Sequence, residues 1–292
     1  MIIGILTRRP KSWYSIQLKE AIENKGHKAQ FFTLSRMIAR IGYKPYIEQY
    51  GVDLLRTISA LIVRPIGRGT LDQCIFRLDI LHKLAEEGLP VINNPKAIER
   101  CLDKYQTLML LEKMGLPVPK TAVTENIEEA MKAFYELGED VVVKPLFGAR
   151  GIGIVRVNDP DIAIRVFRTI NLLGEVIYIQ EFISHGTRDI RAFVIGNKVV
   201  ASMYREANSW KTNVAQGAKP TPLKISGKLE ELAVKAAKIT GCEIAGVDIL
   251  EGPDGYYITE INSQPGWQGL QTVTQFNIAE KIIEYIIKKI RR

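Results

Sequence analysis

A chain of 292 residues, 46% hydrophobic and 25% charged, has enough apolar material for more than one core, which excludes a disordered or fibrous protein. The net charge of +8 is spread along the sequence, with a basic block only at Lys288-Lys289-Ile290-Arg291-Arg292, so small anionic ligands are expected and a nucleic-acid partner is not. Cys74, Cys101 and Cys242 lie far apart without CxxC spacing and read as buried thiols of a cytoplasmic protein, not as disulfides or metal ligands; with no leader pattern and no apolar run near the ~18 residues of a span, no membrane is expected either.

In chain order, Met1 to Leu6 is a buried-strand run, and Ser12 to Lys25 has helical spacing that Gly26 ends. Residues 29–34, 60–63 and 90–92 supply further strands. Leu71 to Glu87 is an amphipathic helix with Ile75, Leu78, Leu81, Leu84 and Ala85 on its apolar side. Strands alternating with helices predict a small parallel α/β domain over residues 1–95. No GxGxxG follows the first strand, where Thr7-Arg8-Arg9-Pro10 stands instead, so a dinucleotide fingerprint is absent. Arg64-Pro65-Ile66-Gly67-Arg68-Gly69 follows a strand end, the place where ligands sit in such sheets. Arg64 and Arg68 are expected to clamp an anionic substrate, the alternative being solvated loop charges.

Residues 94–114 read as one helical linker, closed by Gly115-Leu116-Pro117-Val118-Pro119. A helix at 127–136 and a strand ending in Lys144 lead into a loop with glycines at 148, 151 and 153, followed by a strand at 154–157. Such a hairpin tip can lay bare backbone N–H groups on phosphate oxygens, and a lysine just before it suits the same ligand. A helix at 159–172, a strand at 175–180, two strands at 189–195 and 198–204 about Gly196-Asn197, and a polar loop at 206–222 come next. The helix 227–240 precedes a hairpin, Val247 to Leu250 and Tyr256 to Ile261, turned at Gly252-Pro253-Asp254-Gly255. Simple register about that turn is expected to bring Asp248 near Glu260, with Asn262 on the face of Glu260. Two carboxylates and an amide are hard oxygen donors suited to Mg²⁺ on polyphosphate; a hairpin with solvated acids is the plainer alternative. A closing amphipathic helix spans 278–290.

In this order Lys104, Lys144-Pro145, the 148–153 glycine loop, Gln180-Glu181-Phe182-Ile183, Asp189, Arg191, Arg205, Asn213, Asp248, Glu260 and Asn262 form a set that resembles the ATP-grasp superfamily. Within it the chain resembles the RimK-type α-L-glutamate ligases. Arg64 to Gly69, Asn93-Asn94-Pro95, Asn213 to Gly217 and Pro265-Gly266-Trp267 are similar to members that add glutamate to tetrahydromethanopterin or a deazaflavin cofactor. Ala215-Gln216 stands where RimK itself carries a His-Arg pair, and Ala149-Arg150 replaces a Ser-containing loop tip. Both departures count against modification of a protein tail and leave ATP binding intact.

The resemblance implies an α/β (α+β) ATP-grasp fold: a Rossmann-like pre-ATP-grasp domain, a central lobe over 96–183 and a C-terminal lobe over 184–292. It implies that Lys104 and Lys144 meet the ATP phosphates under Gly148, Gly151 and Gly153, and that the hinge Gln180 to Ile183 holds adenine, with Glu181 and Phe182 using their backbone. Asp189 is expected at the ribose, and Lys211, Thr212 and Asn213 at the nucleotide or acyl-phosphate end. Arg64, Arg68, Arg191 and Ser263 are expected at the substrates, Arg205 in catalysis, and Asp248, Glu260 and Asn262 on two Mg²⁺ (or Mn²⁺) ions. The implied activity is ADP-forming ligation of L-glutamate to an anionic acceptor carboxylate through an acyl phosphate, homo-oligomerisation being left open. The alternatives are the same chemistry on a protein tail or carrier protein, a kinase-like phosphotransfer, and a nucleotide-binding regulatory module without turnover.

Overall fold

A computed structural model describes residues 1–148, 151–214 and 217–291 of the chain. The N-terminal unit builds a parallel sheet from β1 (Ile2–Leu6), β2 (Lys28–Phe32), β6 (Ala60–Val63) and β7 (Val91–Ile92) in the order β2-β1-β6-β7. Helix α1 (Trp13–Asn24) follows β1; Ser12 caps it by accepting from Ser15 N–H, and Gly26 takes the left-handed φ of +75° that a side chain would resist. Between β2 and β6 lie three short antiparallel strands, β3 (Ile38–Ala39), β4 (Ile47–Gln49) and β5 (Val52–Asp53), and a single turn, α2 (Leu54–Thr57), none of which the sequence pattern announces.

Helix α3 (Leu71–Glu86) joins β6 to β7 and buries Leu81 and Leu84 of the expected stripe, with Leu78 and Ala85 half-buried beside them. Arg77, Ile80, Leu81 and Leu84 face inward, while Ile75 is half exposed. Leu71, Ile75 and Phe76 in the first turns are exposed, and Arg77 reaches the 64–69 loop, where its Nη1 donates to the carbonyls of Ile66, Gly67 and Arg68 at 3.4, 3.2 and 3.0 Å.

The expected linker helix is two helices, α4 (Pro95–Leu102) and α5 (Lys104–Lys113). Asp103 breaks the run with an extended backbone and caps α5 by accepting from Gln106 N–H at 3.0 Å. A four-stranded antiparallel sheet follows: β8 (Thr121–Thr124), β9 (Val141–Lys144), β10 (Val155–Val157) and β11 (Ile177–Glu181), in the order β10-β9-β11-β8. Helices α6 (Ile127–Glu136) and α7 (Pro160–Leu172) cover it, and Phe134, Val141, Phe167 and Ile179 form its own core.

The third sheet, order β14-β13-β12-β15-β16, comprises β12 (Arg188–Ile195), β13 (Lys198–Glu206), β14 (Lys219–Pro222), β15 (Ile244–Gly252) and β16 (Gly255–Asn262). Helix α8 (Gly227–Thr240) packs on one face. Ala97, Leu108 and Leu111 of α4 and α5 share that core, so these two helices, expected with the central lobe, pack with the C-terminal sheet. On the other side, α9 (Gln268–Thr272) and α10 (Ile278–Ile290) fill the space to the N-terminal sheet. One core there contains Ile3, Ile5 and Leu18 together with Phe193, Trp267, Ile282 and Ile286. Burial of such apolar surface contributes about 25 cal/mol per Å² and ties the first ninety residues to the last hundred. Among the described residues no helix is long and apolar enough to cross a membrane.

Candidate active site

The C-terminal sheet carries a row of charge across four adjacent strands. Asp189 on β12 is paired directly with Arg205 on β13, Arg191 on β12 with Asp248 on β15, and Asp248 with Glu260 on β16. Directly paired residues share a sheet face, as do positions two apart, so all five side chains lie on one side.

The last pairing depends on an irregularity. From Gly252↔Gly255 the ladder runs regularly to Ile249↔Ile258, and simple register would then set Asp248 against Thr259. A shift between Asp248 and Ile249 sets Glu260 there instead. The expected proximity is present, but a bulge produces it rather than simple register.

Opposite charges meet at the first two pairings, while Asp248 and Glu260 are like charges side by side. Arg205 grips Asp189 bidentately, Nε to Oδ1 at 2.6 Å and Nη2 to Oδ2 at 2.5 Å, and reaches Asp248 Oδ2 at 3.3 Å. Thr212 Oγ1 donates to Asp189 Oδ2 at 2.7 Å. The carboxylate expected to meet the ribose is therefore buried and spent on Arg205 and Thr212. Arg191 Nε lies 3.0 Å from Asp248 Oδ1, at an angle too bent for a hydrogen bond, so this buried oxygen has no hydrogen-bond partner among the described residues. Burial pushes the Asp248 carboxyl up to about 6 against the pull of Arg191 and Arg205. With its amide nitrogen toward Glu260 Oε1 (3.2 Å), the Asn262 oxygen accepts from Arg191 Nη1 at 3.0 Å. Gly246 makes room for that arm: a Cβ there would lie 2.3 Å from Arg191 Nη1. Sequence reading passed over Gly246, although a glycine inside an apolar strand is the usual sign of a close approach.

Orphaned Asp248 Oδ1, the Glu260 carboxylate and the Asn262 oxygen are a hard donor set that fits Mg²⁺. Among the described residues no three His, Cys, Asp or Glu side chains cluster as a metal site, so the amide is needed to complete the set.

Two lysines approach this face, one from the central sheet and one from the start of α5. Lys144 ends β9 and donates to Gln180 Oε1 at 2.6 Å; Gln180 is in turn held by Thr121 Oγ1 at 2.9 Å. Burial pushes Lys144 down to about 8, with Glu260 opposing and Lys104 assisting. Lys104, the first residue of α5, donates to the carbonyls of Leu146 and Gly148 at 3.0 and 3.2 Å, and burial lowers it too. It thereby anchors the root of the glycine hairpin. Gly151 and Gly153 have φ of +71° and +80°, and a Cβ on Gly148 would meet Pro145 at 2.8 Å. Ala149 and Arg150 lie outside the described residues, as do Ala215 and Gln216.

In the hinge, Glu181 N–H bonds Lys120 O at 3.0 Å and Phe182 N–H bonds Asp140 O at 2.9 Å. Both N–H groups are thus occupied, which leaves the backbone carbonyls of Glu181 and Phe182 as the groups expected on adenine. Ile183 N–H forms no hydrogen bond within the described residues. Phe182 lies against Trp210, with the Arg156 guanidinium 3.5 Å from its ring centroid. Lys211 stands 5.4 Å from the Trp210 ring, and the Asn213 carbonyl accepts from Ala218 N–H at 3.4 Å.

At the N-terminal unit, Arg64 is buried rather than open. Its guanidinium lies 5.1 Å from the Tyr14 ring and 4.9 Å from that of Trp267, and Nη1 donates to Pro265 O at 2.9 Å. Burial pushes it down to about 10. Arg68 is exposed and contributes its carbonyl to Arg77. Asn93 stitches β7 to both ends of the β15–β16 hairpin: its amide donates to Ile244 O (2.7 Å) and to Ser263 O, and its oxygen accepts from the N–H groups of Glu243 and Ile244. Ser263 is thus buried, one residue beyond Asn262.

A protein-family model described as the RimK-like ATP-grasp domain matches residues 101–286, and one described as the RimK pre-ATP-grasp domain matches residues 1–98. The chain belongs to the RimK-like ATP-grasp family. Tetrahydromethanopterin:alpha-L-glutamate ligases are similar to this ATP-grasp protein. That of Methanocaldococcus jannaschii is 40% identical, covering 83% of this chain and 84% of its own. That of Methanococcus maripaludis is 35% identical, covering 97% of each. The solved structure of the ATP-grasp ligase PsnB complexed with minimal precursor, Mg, and ADP superposes with a TM-score of 0.76 at 21% identity, covering 100% of this chain and 98% of that one, which shows the shared fold. The expected ATP-grasp architecture with its pre-ATP-grasp domain is therefore present.

Proposed function

We propose that this ATP-grasp protein joins L-glutamate to a carboxylate of a small anionic cofactor of the tetrahydromethanopterin type. The protein is an ATP-dependent carboxylate–amine ligase that forms ADP. The observation that carries the reading is the row of buried Asp189, Arg205 and Asp248 with half-buried Glu260, beside two desolvated lysines and a glycine hairpin. In this reading ATP lies between the central and C-terminal lobes, with the acceptor toward the N-terminal unit; the divisions at 95 and 183 stand as functional ones although α4 and α5 pack with the third sheet.

A carboxylate does not react with an amine until one oxygen becomes a leaving group. An acceptor carboxylate oxygen attacks the γ-phosphorus, the bond to the β-phosphate oxygen breaks, and ADP leaves. The glutamate nitrogen, after losing a proton to solvent, attacks the acyl carbon, and inorganic phosphate departs with the former carboxylate oxygen. Lys144 and Lys104 hold phosphate oxygens below the hairpin, supplying charge where it builds up. Arg205, held in one orientation by Asp189 and Thr212, presents a fixed charge to the acyl phosphate; Asp189 is a positioning residue. Asp248, Glu260 and Asn262 would hold Mg²⁺, two ions in this proposal, which when bound neutralises the phosphates. Ile183 N–H is the donor left for the adenine edge. Arg64 has no carboxylate within ion-pair distance among the described residues, so its charge favours an anionic acceptor; Arg68 and Arg191 extend that charge on either side.

The test is mass spectrometry of a reaction holding ATP, Mg²⁺, L-glutamate and tetrahydromethanopterin. ADP release that depends on the acceptor, with a product heavier by one glutamyl residue, is the expected result. Phosphorylated acceptor without glutamate, or ADP release indifferent to the acceptor, overturns the reading.

A further inference from the structure

Cys101 and Cys242, separated by 141 positions in sequence, meet with their sulfurs 3.4 Å apart. Cys101 lies in the last turn of α4, and Cys242 sits in the turn between α8 and β15. The meeting is built by backbone packing. Gly241 ends α8 in the left-handed region at φ +80°, and a Cβ there would lie 3.6 Å from both Ala97 Cβ and Arg100 Nη1, so α4 rests directly against that turn. Cys242 is buried, its N–H is bonded to Ala237 O at 2.9 Å, and it shares a core with Ala97 and Ala237. Neither thiol belongs to the site described above. The third cysteine, Cys74, is on α3, with its sulfur 3.8 Å from Gly69 O.

We propose that Cys101 and Cys242 are a covalent modification site, forming an intramolecular disulfide that staples α4 to the α8–β15 turn. A disulfide needs its sulfurs at about 2.05 Å, so they close by about 1.3 Å, within the reach of side-chain rotation. The two thiols share a hydrogen bond that either sulfur can donate, and Cys101 is the more exposed of the pair. With a small-molecule disulfide as oxidant, Cys101 loses its proton, attacks one sulfur and expels a thiolate, giving a mixed disulfide. Cys242 then loses its proton, attacks the Cys101 sulfur and displaces the second thiol. The two protein thiols are oxidised by two electrons and the small disulfide is reduced to two thiols. The bond would join the helix that leads through Asp103 to Lys104 with the strand that carries Asp248. Because it closes a loop of about 140 residues, it removes much of the freedom of the unfolded chain.

The experiment compares the protein equilibrated with oxidised glutathione and the same protein treated with a phosphine reductant. The expected result is a loss of two hydrogens by intact mass, a cross-linked peptide pair containing Cys101 and Cys242, and a Tm higher by about 5 °C or more in the oxidised form. Cys74→Ser retains all three signatures. Cys101→Ser, compared with itself in the two states, shows none, so a general effect of the variant on folding does not enter. Both thiols still open to alkylation in denaturant after oxidation, or an equal Tm rise in Cys101→Ser, overturns the proposal. The assay involves no nucleotide and stands or falls independently of the ligase reading.

Discussion

Asp248 and Glu260 face each other across β15 and β16 because the ladder slips by one residue beside Asp248. Thr259 absorbs the slip, and the two carboxylates come onto one face with Asn262. Without it Glu260 would point to the opposite side of the sheet, since side chains alternate strictly along a strand.

If these oxygens hold Mg²⁺, Glu260→Gln removes one anionic ligand without opening a cavity. ATP turnover should fall by about 100-fold or more while Tm stays within about 2 °C of the parent. Steady-state ADP release over a Mg²⁺ titration, alongside thermal melting, checks both halves. Unchanged turnover in a folded variant removes Glu260 from the metal site.

Arg205 and Asp189 are buried partners, so truncating one leaves the other as an uncompensated interior charge. Arg205→Met should lower stability by about 3–5 kcal/mol, read as a shift in the urea midpoint. Arg205→Lys keeps the charge but loses the two-pronged grip on Asp189. It should fold and lower kcat with little change in the KM for ATP, the pattern of an interaction made in the transition state.

Lys144, held down to about 8, gives a pH test with a definite sign. Its folded value is below its unfolded value of 10.5, so burying the charged form costs stability at low pH, and that cost is relieved as pH rises through 8 toward 10.5. Nucleotide phosphates have the opposite preference and favour the ammonium. ADP binding should therefore take up protons around pH 8 and weaken as pH rises above it. Calorimetry in buffers of different ionisation enthalpy measures the uptake, and Lys144→Gln should abolish it.

Much of this was legible before the structure. Helices 127–136, 227–240 and 278–290 match their predicted limits, because each has a clear apolar period and a capping or turn residue at its ends. The break at Asp103 was hidden, since a capping aspartate inside a helical run leaves the apolar period intact. The candidate site residues are nameable from the sequence by type and order. Their partners are not, because Asp189 finds Arg205, and Arg191 finds Asp248, only once β12 lies between β13 and β15. Arg77 was missed for a similar reason: its three carbonyl partners belong to a loop about ten residues earlier, whose path the sequence does not reveal.

Arg64 offers the last test, and its geometry sharpens what to expect. The guanidinium packs between Tyr14 and Trp267 and holds Pro265 O, so it ties the N-terminal unit to the segment following Asn262. Arg64→Ala would lose that packing as well as the charge, confounding stability with binding. Arg64→Lys keeps the charge and gives up only the planar stacking and the forked donors. The acceptor KM should rise about 10-fold or more, with the Kd for ATP nearly unchanged, because every group proposed above to face ATP belongs to the other two proposed lobes. Steady-state kinetics with the acceptor varied, beside nucleotide binding by calorimetry, separates the outcomes. A fall in Tm with both constants unchanged would make Arg64 a purely structural clasp, and weakened ATP binding with a normal acceptor KM would reverse the assignment of the two substrates to the two sides of the cleft.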